Sequence, residues 1–218
     1  MSVVISHVRP EEAGGAYEWH RGFAASNDHL FPRTREHYAE LAENYQAFAA
    51  REDGDYLGLC YYAQDEQSTE WEVGGLMVAA NQRGRRLGMT LMAVTLGNLL
   101  IDVNPLEAVE GEAPQWIISH VIKGNDAPRG IIVDRLKFAH RKPVKIPSEV
   151  LPGLRTQEDG MVHGDEFEMT VPATLIALAE WCDGWTGQLG DGTPAEIELR
   201  EMLTLRDWAE AFREMASA

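Results

Sequence analysis

Hydrophobic and polar positions change period several times along this chain. Ser2–Val8 alternates weakly and predicts a first strand. Glu11–Ser26 reads as helix, interrupted by Gly14, Gly15 and Gly22, and Phe31-Pro32 breaks the segment beyond it. Thr34 is then placed to cap a helix running through Glu43, with Glu36 and His37 in its first turn. Two strands come next, Asn44–Arg51 and Tyr56–Ala63, separated by the turn Glu52-Asp53-Gly54. Thr69–Val78 closes this meander as a third strand.

From Leu87 the period changes. LGMTLMAVTLGNLLI predicts a buried helix that opens directly after a turn rich in Gly and Arg. Asp102–Pro114 is a polar loop with two prolines, and Gln115–Ile122 has the length and β-branching of a buried strand. Ala127–Phe138 reads as helix, with Pro128 in the first turn, where proline is tolerated. Strand, turn, helix, strand, helix is a βαβα unit, which requires a parallel strand pair in the middle of the fold. Val144–Ile146 and Glu166–Val171 are predicted strands. The tail predicts helices at Ala173–Cys182 and Pro194–Met215 around a Gly/Asp-rich loop, Asp183–Gly192. In the last helix Ile197, Met202, Leu205, Trp208, Ala209 and Phe212 form one apolar face, with Thr193 as N-cap and Pro194 at the first helical position. That face has to bury itself on its own sheet or on a second copy in a homodimer. The fold class is α/β with a mixed sheet.

Composition narrows the function. With 218 residues, 44% hydrophobic and 25% charged, the chain can bury a substantial core in one domain with elaborations. Its apolar runs fall far short of a membrane span, and MSVVISHVRP lacks the basic and then apolar pattern of a secretory signal, so a cytoplasmic location is expected. Cys60 and Cys182 lie in apolar surroundings and are expected to be buried reduced thiols. Seven scattered His residues give no metal-ligand spacing, so no metal is expected. A net charge of −16 repels nucleic acid and acidic membrane surfaces and attracts amines. The charge is uneven, however. Residues 81–101 carry Arg83, Arg85 and Arg86 with no acid, and residues 116–145 carry seven basic side chains against Asp126 and Asp134. A basic zone in an acidic chain points to a small anionic ligand.

The segment Leu76–Met92 is the sharpest signal: a strand, a Gly/Arg turn, then a helix. Helix N-termini offer unpaired N–H groups and positive partial charge to phosphate, and Gly84 and Gly88 permit close backbone approach. It is neither a P-loop nor a dinucleotide fingerprint. Read together, strand and turn resemble the acetyl-CoA-binding motif of the GNAT superfamily, Arg/Gln-x-x-Gly-x-Gly/Ala after a strand ending Leu-x-Val. Arg83-Gly84-Arg85-Arg86-Leu87-Gly88 fills it, with Arg86 where the first motif glycine usually stands. Asn125 and the helix ending Leu136-Lys137-Phe138 are similar to the family's later elements, although Lys137 replaces the usual Gly and Val133 stands where a proton-donating Tyr is usual.

The resemblance implies a mixed, mostly antiparallel sheet with a splayed parallel strand pair, flanking helices and a helical C-terminal extension. It runs in element order from about Val3 to Val171, giving an acyltransferase domain at 1–172 and an extension at 173–218 packed on the same domain. It implies acetyl transfer from acetyl-CoA to an amine by direct attack on the thioester. Arg83, Gly84, Arg85, Arg86, Leu87, Gly88 and Met89 would hold the pyrophosphate, with Asn125 at the start of the later helix. Leu76, Met77 and Val78 would pair with the pantetheine arm, the amide of Leu76 or Met77 facing the acyl carbonyl. Glu72 matches the Glu of Glu-Val-x-x-Leu-x-Val in histone-type acetyltransferases of the superfamily and is the leading general base. His120, central in the predicted splayed strand, is an alternative base or acid, and Tyr61 or Tyr62 could replace the missing Tyr. The acceptor, a small-molecule or peptide amine, would lie near Trp19, Phe23, Asn27 and Tyr38. Two other readings are an acyl-CoA-binding regulatory protein without turnover and a toxin-like enzyme acting on aminoacyl-tRNA, which the net charge disfavours.

Overall fold

The computed structural model describes residues 2–64, 69–107 and 115–217. Its strands are β1 (Val3–His7), β2 (Ala47–Glu52), β3 (Asp55–Gln64), β4 (Glu70–Val78), β5 (Trp116–Ile122), β6 (Ala139–Pro147), β7 (Met161–Glu168) and β8 (Ala195–Ile197). Its helices are α1 (Ala13–Ala24), α2 (Arg35–Glu43), α3 (Leu87–Asn98), α4 (Asp126–Gly130), α5 (Val171–Asp183) and α6 (Leu205–Ser217). All eight strands form one mixed sheet in the order β6-β7-β5-β4-β3-β2-β1-β8.

Local chemistry explains most boundaries. Thr34 Oγ1 accepts the His37 N–H at 3.2 Å, so α2 begins where a capping hydroxyl relieves an orphan donor. β2 and β3 are joined through Asp53 and Gly54, both at positive φ, the two-residue hairpin that matches strand twist. The predicted βαβα unit is present: β4 and β5 run parallel, joined through α3, which is buried on nearly every side. α3 and α4 each run on into a π-helical turn, Leu99–Val103 and Ile131–Arg135. Within the predicted loop Asp102–Pro114, positions 108–114 lie outside the described residues.

The sheet separates two apolar layers. On one face Val73, Leu91, Leu96 and Phe167 pack with residues of α5 and α6. On the other, α1 and α2 cover Leu59, Tyr61 and Met77.

Three sequence expectations need correction. Pro194–Met215 is not one helix. Ala195–Ile197 pairs in parallel with Val3–Ile5, and Val3 N–H donates to Pro194 O at 2.9 Å. The backbone groups of β1 would otherwise stand open along that edge, and pairing them outweighs a helical first turn. α6 begins later, where Thr204 and Asp207 cap each other reciprocally: Thr204 N–H donates to Asp207 Oδ2 at 2.7 Å, and Asp207 N–H to Thr204 Oγ1 at 3.3 Å. Trp208, Ala209 and Phe212 are buried against the protein's own core, whereas Met202 is 96% exposed. Second, β6 is far longer than Val144–Ile146, since Arg141, Lys142, Pro143 and Lys145 obscure its pattern; an edge strand accepts Lys and Pro. Third, β7 ends at Glu168, and Val171 opens α5.

Candidate active site

β4 shapes the centre of the molecule. Leu59 pairs with Met77 but Tyr61 with Gly74, so two residues, Gly75 and Leu76, oppose Cys60 alone. This bulge reverses the faces of the strand: Trp71 and Val73 join the α3 layer, whereas Met77 joins the α1–α2 layer. Gly75 has φ +59°, and a Cβ there would lie 2.0 Å from the Tyr61 ring, so only glycine permits the turn. β4 and β5 pair only from Glu70↔Trp116 to Glu72↔Ile118, and beyond that point they part. Ala79 N–H donates to Leu57 O at 2.9 Å. By the alternation of an antiparallel ladder, Met77 then also points its amide at β3, and the amide of Val78 turns to the opening.

At the mouth of this opening three neighbouring strands bring acid and base together. His120 Nδ1 lies 3.1 Å from Glu72 Oε1, and Nε2 lies 3.1 Å from Glu166 Oε2. With a carboxylate at each ring nitrogen, only the imidazolium can donate both bonds. Burial alone would depress the His120 pKa, but the bonds to Glu72 and Glu166 outweigh it and raise the value. Burial likewise pushes Glu72 up, yet His120, with help from Arg33, brings it below the usual carboxylate range. Glu166 is almost fully buried and is also held by Arg141 at 3.0 Å and Lys142 at 3.2 Å. Arg141 further pairs with Glu70 and Glu168 and lies over Trp116, 5.4 Å from the ring centre.

Across the opening stands Tyr61, whose hydroxyl accepts the Arg33 Nε–H at 2.8 Å. Burial raises the Tyr61 pKa against the pull of Arg33, so the phenol keeps its proton. Tyr62 faces the other layer, accepting from Asn98 at 2.9 Å, with its pKa pushed up to about 12 by burial. A cavity of about 220 Å³ lies among Glu72, Gly75, His120, Tyr61 and Arg33, with apolar walls from Phe31 and the β6–β7 region. Trp19, Phe23 and Asn27 lie elsewhere, in a surface cleft beside Arg83, and Tyr38 is a buried core residue bonded to His20 Nδ1 at 2.6 Å.

The Gly/Arg turn meets α3 as the sequence suggests. Arg86 takes the left-handed conformation at the helix start (φ 63°), and Thr90 N–H closes the first turn onto Arg86 O at 3.1 Å. Leu87, Gly88 and Met89 therefore have no intrahelical acceptor for their amides. Gly88 is hemmed in: a Cβ would lie 3.2 Å from Ile131 Cδ1 and 3.5 Å from Val78 Cγ2. Gly84 has φ +83°. Arg83 and Arg86 are exposed, but Arg85 is engaged by Gln82 and by Asp191 at 2.8 Å, and its carbonyl accepts the Gly190 N–H at 2.7 Å. Asn125 sits at the start of α4, where its N–H donates to Ile122 O at 3.0 Å.

Sequence reasoning passed over Arg33, Glu166 and Asp191, because each acts through a partner far away in the chain. Cys60 and Cys182 are free and buried, and burial pushes both pKa values up to about 12, far from a reactive thiolate. Among the described residues no group of three His, Cys, Asp or Glu is placed to hold a metal, and no helix is long and apolar enough to cross a membrane.

Comparison with known proteins agrees with this geometry. The model of the Acetyltransferase (GNAT) family matches residues 15–96. No curated protein matches the sequence. Among solved structures, the ribosomal-protein-alanine N-acetyltransferase of Brucella melitensis is similar at TM-score 0.55 and 15% identity, over 75% of this chain and 97% of that one. YncA of Salmonella typhimurium, solved with its cofactor acetyl-CoA, gives 0.57 and 10%, over 78% and 94%. Diaminobutyrate acetyltransferase EctA of Paenibacillus lautus, in complex with L-2,4-diaminobutyric acid and coenzyme A, gives 0.53 and 15%, over 77% and 95%. Residues 15–96 thus carry the GNAT-family segment of a chain that has the GNAT acetyltransferase fold.

Proposed function

We propose that this protein is an N-acetyltransferase that moves the acetyl group of acetyl-CoA onto an amine. The observation that carries this reading is the convergence, where β4 and β5 part, of a Glu72–His120–Glu166 chain and a buried phenol. The free amides of Leu87, Gly88 and Met89, with exposed Arg83 and Arg86 nearby, suit a pyrophosphate. The acetyl-CoA and coenzyme A held by the Salmonella and Paenibacillus structures support this cosubstrate. The pantetheine arm would run along Leu76–Val78 into the opening.

In the reaction the amine must first lose a proton. Glu72 takes it, directly or through one water, and His120 shares the charge. The nitrogen lone pair then attacks the thioester carbonyl carbon. The Leu76 amide stabilises the oxyanion, and the C–S bond breaks as the departing thiolate takes a proton from Tyr61, which replaces the Tyr absent at Val133. The second proton of the now cationic nitrogen passes to the Tyr61 oxygen to leave the neutral amide. Residues 1–172 form the catalytic unit in this reading, and the loop at Gly190-Asp191 fixes the turn from outside it.

The test is direct. Purified protein with acetyl-CoA and a panel of primary amines should release CoA thiol in step with acetylated product. Saturating CoA alone should raise the melting temperature, since only the native state binds it. A folded protein that shows no shift at millimolar CoA would sink the assignment of the turn. Binding of CoA with no turnover across the panel would make the protein a binder only.

A further inference from the structure

We propose that the acceptor is an apolar amino acid, whose carboxylate is gripped by Arg33 while its amine lies at Glu72. This rests on the acetyl-transfer reading above and adds the class of substrate. Most charges that line the cavity are matched at contact distance. Glu72 is matched by His120, His120 also by Glu166 behind the wall, and Asp165 by His140 at 3.1 Å. His29, at the rim, is matched by Asp28 at 3.0 Å. Arg33 breaks the pattern. It feels the charge of Glu72 across the cavity, yet among the described residues no carboxylate forms an ion pair with it. Among the described residues its side-chain hydrogen bond runs from Nε to the Tyr61 hydroxyl, and none supplies an acceptor to its two terminal nitrogens, on a side chain partly withdrawn from water and lining the cavity.

The guanidinium is also fixed in place. Its carbon lies 5.4 Å from the Phe31 ring centre and 5.8 Å from that of Tyr61. The backbone N–H of Arg33 donates to His20 Nε2 at 3.3 Å, and that imidazole is anchored to Tyr38. A planar fork with free terminal N–H groups on the cavity wall is suited to a carboxylate, which it can bind through two parallel bonds. One unmatched positive charge calls for one negative charge, which a carboxylate supplies and a dianionic phosphate exceeds. The remaining walls, Leu30, Val144, Ile146, Leu151 and Leu154, are apolar and suit a hydrocarbon side chain.

Binding of two product-like ligands tests this without the complication of amine ionisation. N-acetyl-leucine and N-(3-methylbutyl)acetamide differ only in the carboxylate, and calorimetry in the presence of CoA compares them. The acid should bind about 10–100-fold more tightly, the range of charge-assisted hydrogen bonds. The Arg33→Met variant should bring the two ligands within about twofold of each other, and Arg33→Lys should retain part of the preference. Equal binding by the wild-type protein overturns the proposal whatever the variants do, as does a preference that survives in folded Arg33→Met. Acid-selective binding without turnover of leucine or any other amine would leave Arg33 as a carboxylate site and reject acetyl transfer. Turnover of simple amines with no preference for the acid would do the reverse.

Discussion

Replacing Glu72 by Gln is the most informative single change, because it removes a charge and keeps the shape. The Gln side-chain oxygen can still accept the His120 Nδ1–H at the present 3.1 Å, but one of the two carboxylates that stabilise the imidazolium is gone. About a third of each side chain is exposed, so the pair contributes about 0–1 kcal/mol to stability and its loss should not unfold the protein. The effect on rate is larger. A lysine-like acceptor with a pKa of ~10.4 is about one part in a thousand neutral near pH 7.4, a gap of roughly 4 kcal/mol. A positioned base recovers about 10²–10⁴-fold, and kcat/KM should fall by that factor. A peptide N-terminus, with a pKa of roughly 7.7–8, should lose much less, whereas the amine of a free amino acid, raised by its own carboxylate, behaves more like the lysine case. The pH profile gives the second signature. His120 loses its charge with a pKa above its ordinary value, so one limb of the kcat/KM profile in the wild type should lie above the normal His range. Without Glu72 that limb should move to lower pH. Initial rates of CoA release between pH 6 and 9.5, with CoA affinity measured in parallel, report both effects. With a lysine-like acceptor, a kcat/KM within threefold of wild type and a limb that does not move would show that bulk water takes the proton.

Two further changes test the backbone. Lys137 follows the π-helical turn Ile131–Arg135 with φ 63°, the conformation for which glycine is suited, so Lys137→Gly should stabilise the fold by about 1 kcal/mol and raise Tm by roughly 2–4 °C; a lower Tm would mean that the Lys137 Nζ bond to Asp134 O, 2.7 Å long, matters more than the strain. Gly75→Ala should collapse the bulge onto Tyr61 and cost acetyl transfer even where CoA still binds; normal activity in that variant would show that the bulge does not place the oxyanion amide.

Local patterns were enough for much of this protein. The Thr34 cap, the Asp53-Gly54 hairpin and the all-round apolar α3 are each written in residues close in sequence, where steric and hydrogen-bonding preferences act without distant help. The Gly/Arg turn before α3 was legible for the same reason, and so was Glu72 through the strand that leads to it. The wider constellation was not. Glu72, His120 and Glu166 meet because β4, β5 and β7 are sheet neighbours, a pairing of residues 46 and 48 positions apart that no local pattern encodes. The choice of Tyr61 over Tyr62 depends on which face of β3 looks into the cavity, and periodicity alone leaves the two faces equivalent. Arg33 stands in a loop with no helical or strand period, and the features that single it out, partial burial and the lack of an ion-paired carboxylate among the described residues, exist only after folding. Ala195–Ile197 carried helical spacing yet became a strand, because the open edge of β1, nearly two hundred residues away, offered its backbone more hydrogen bonds than a first helical turn could. Sequence determined the elements whose stabilising partners lie within a few residues; the tertiary structure decided those whose partners lie across the sheet.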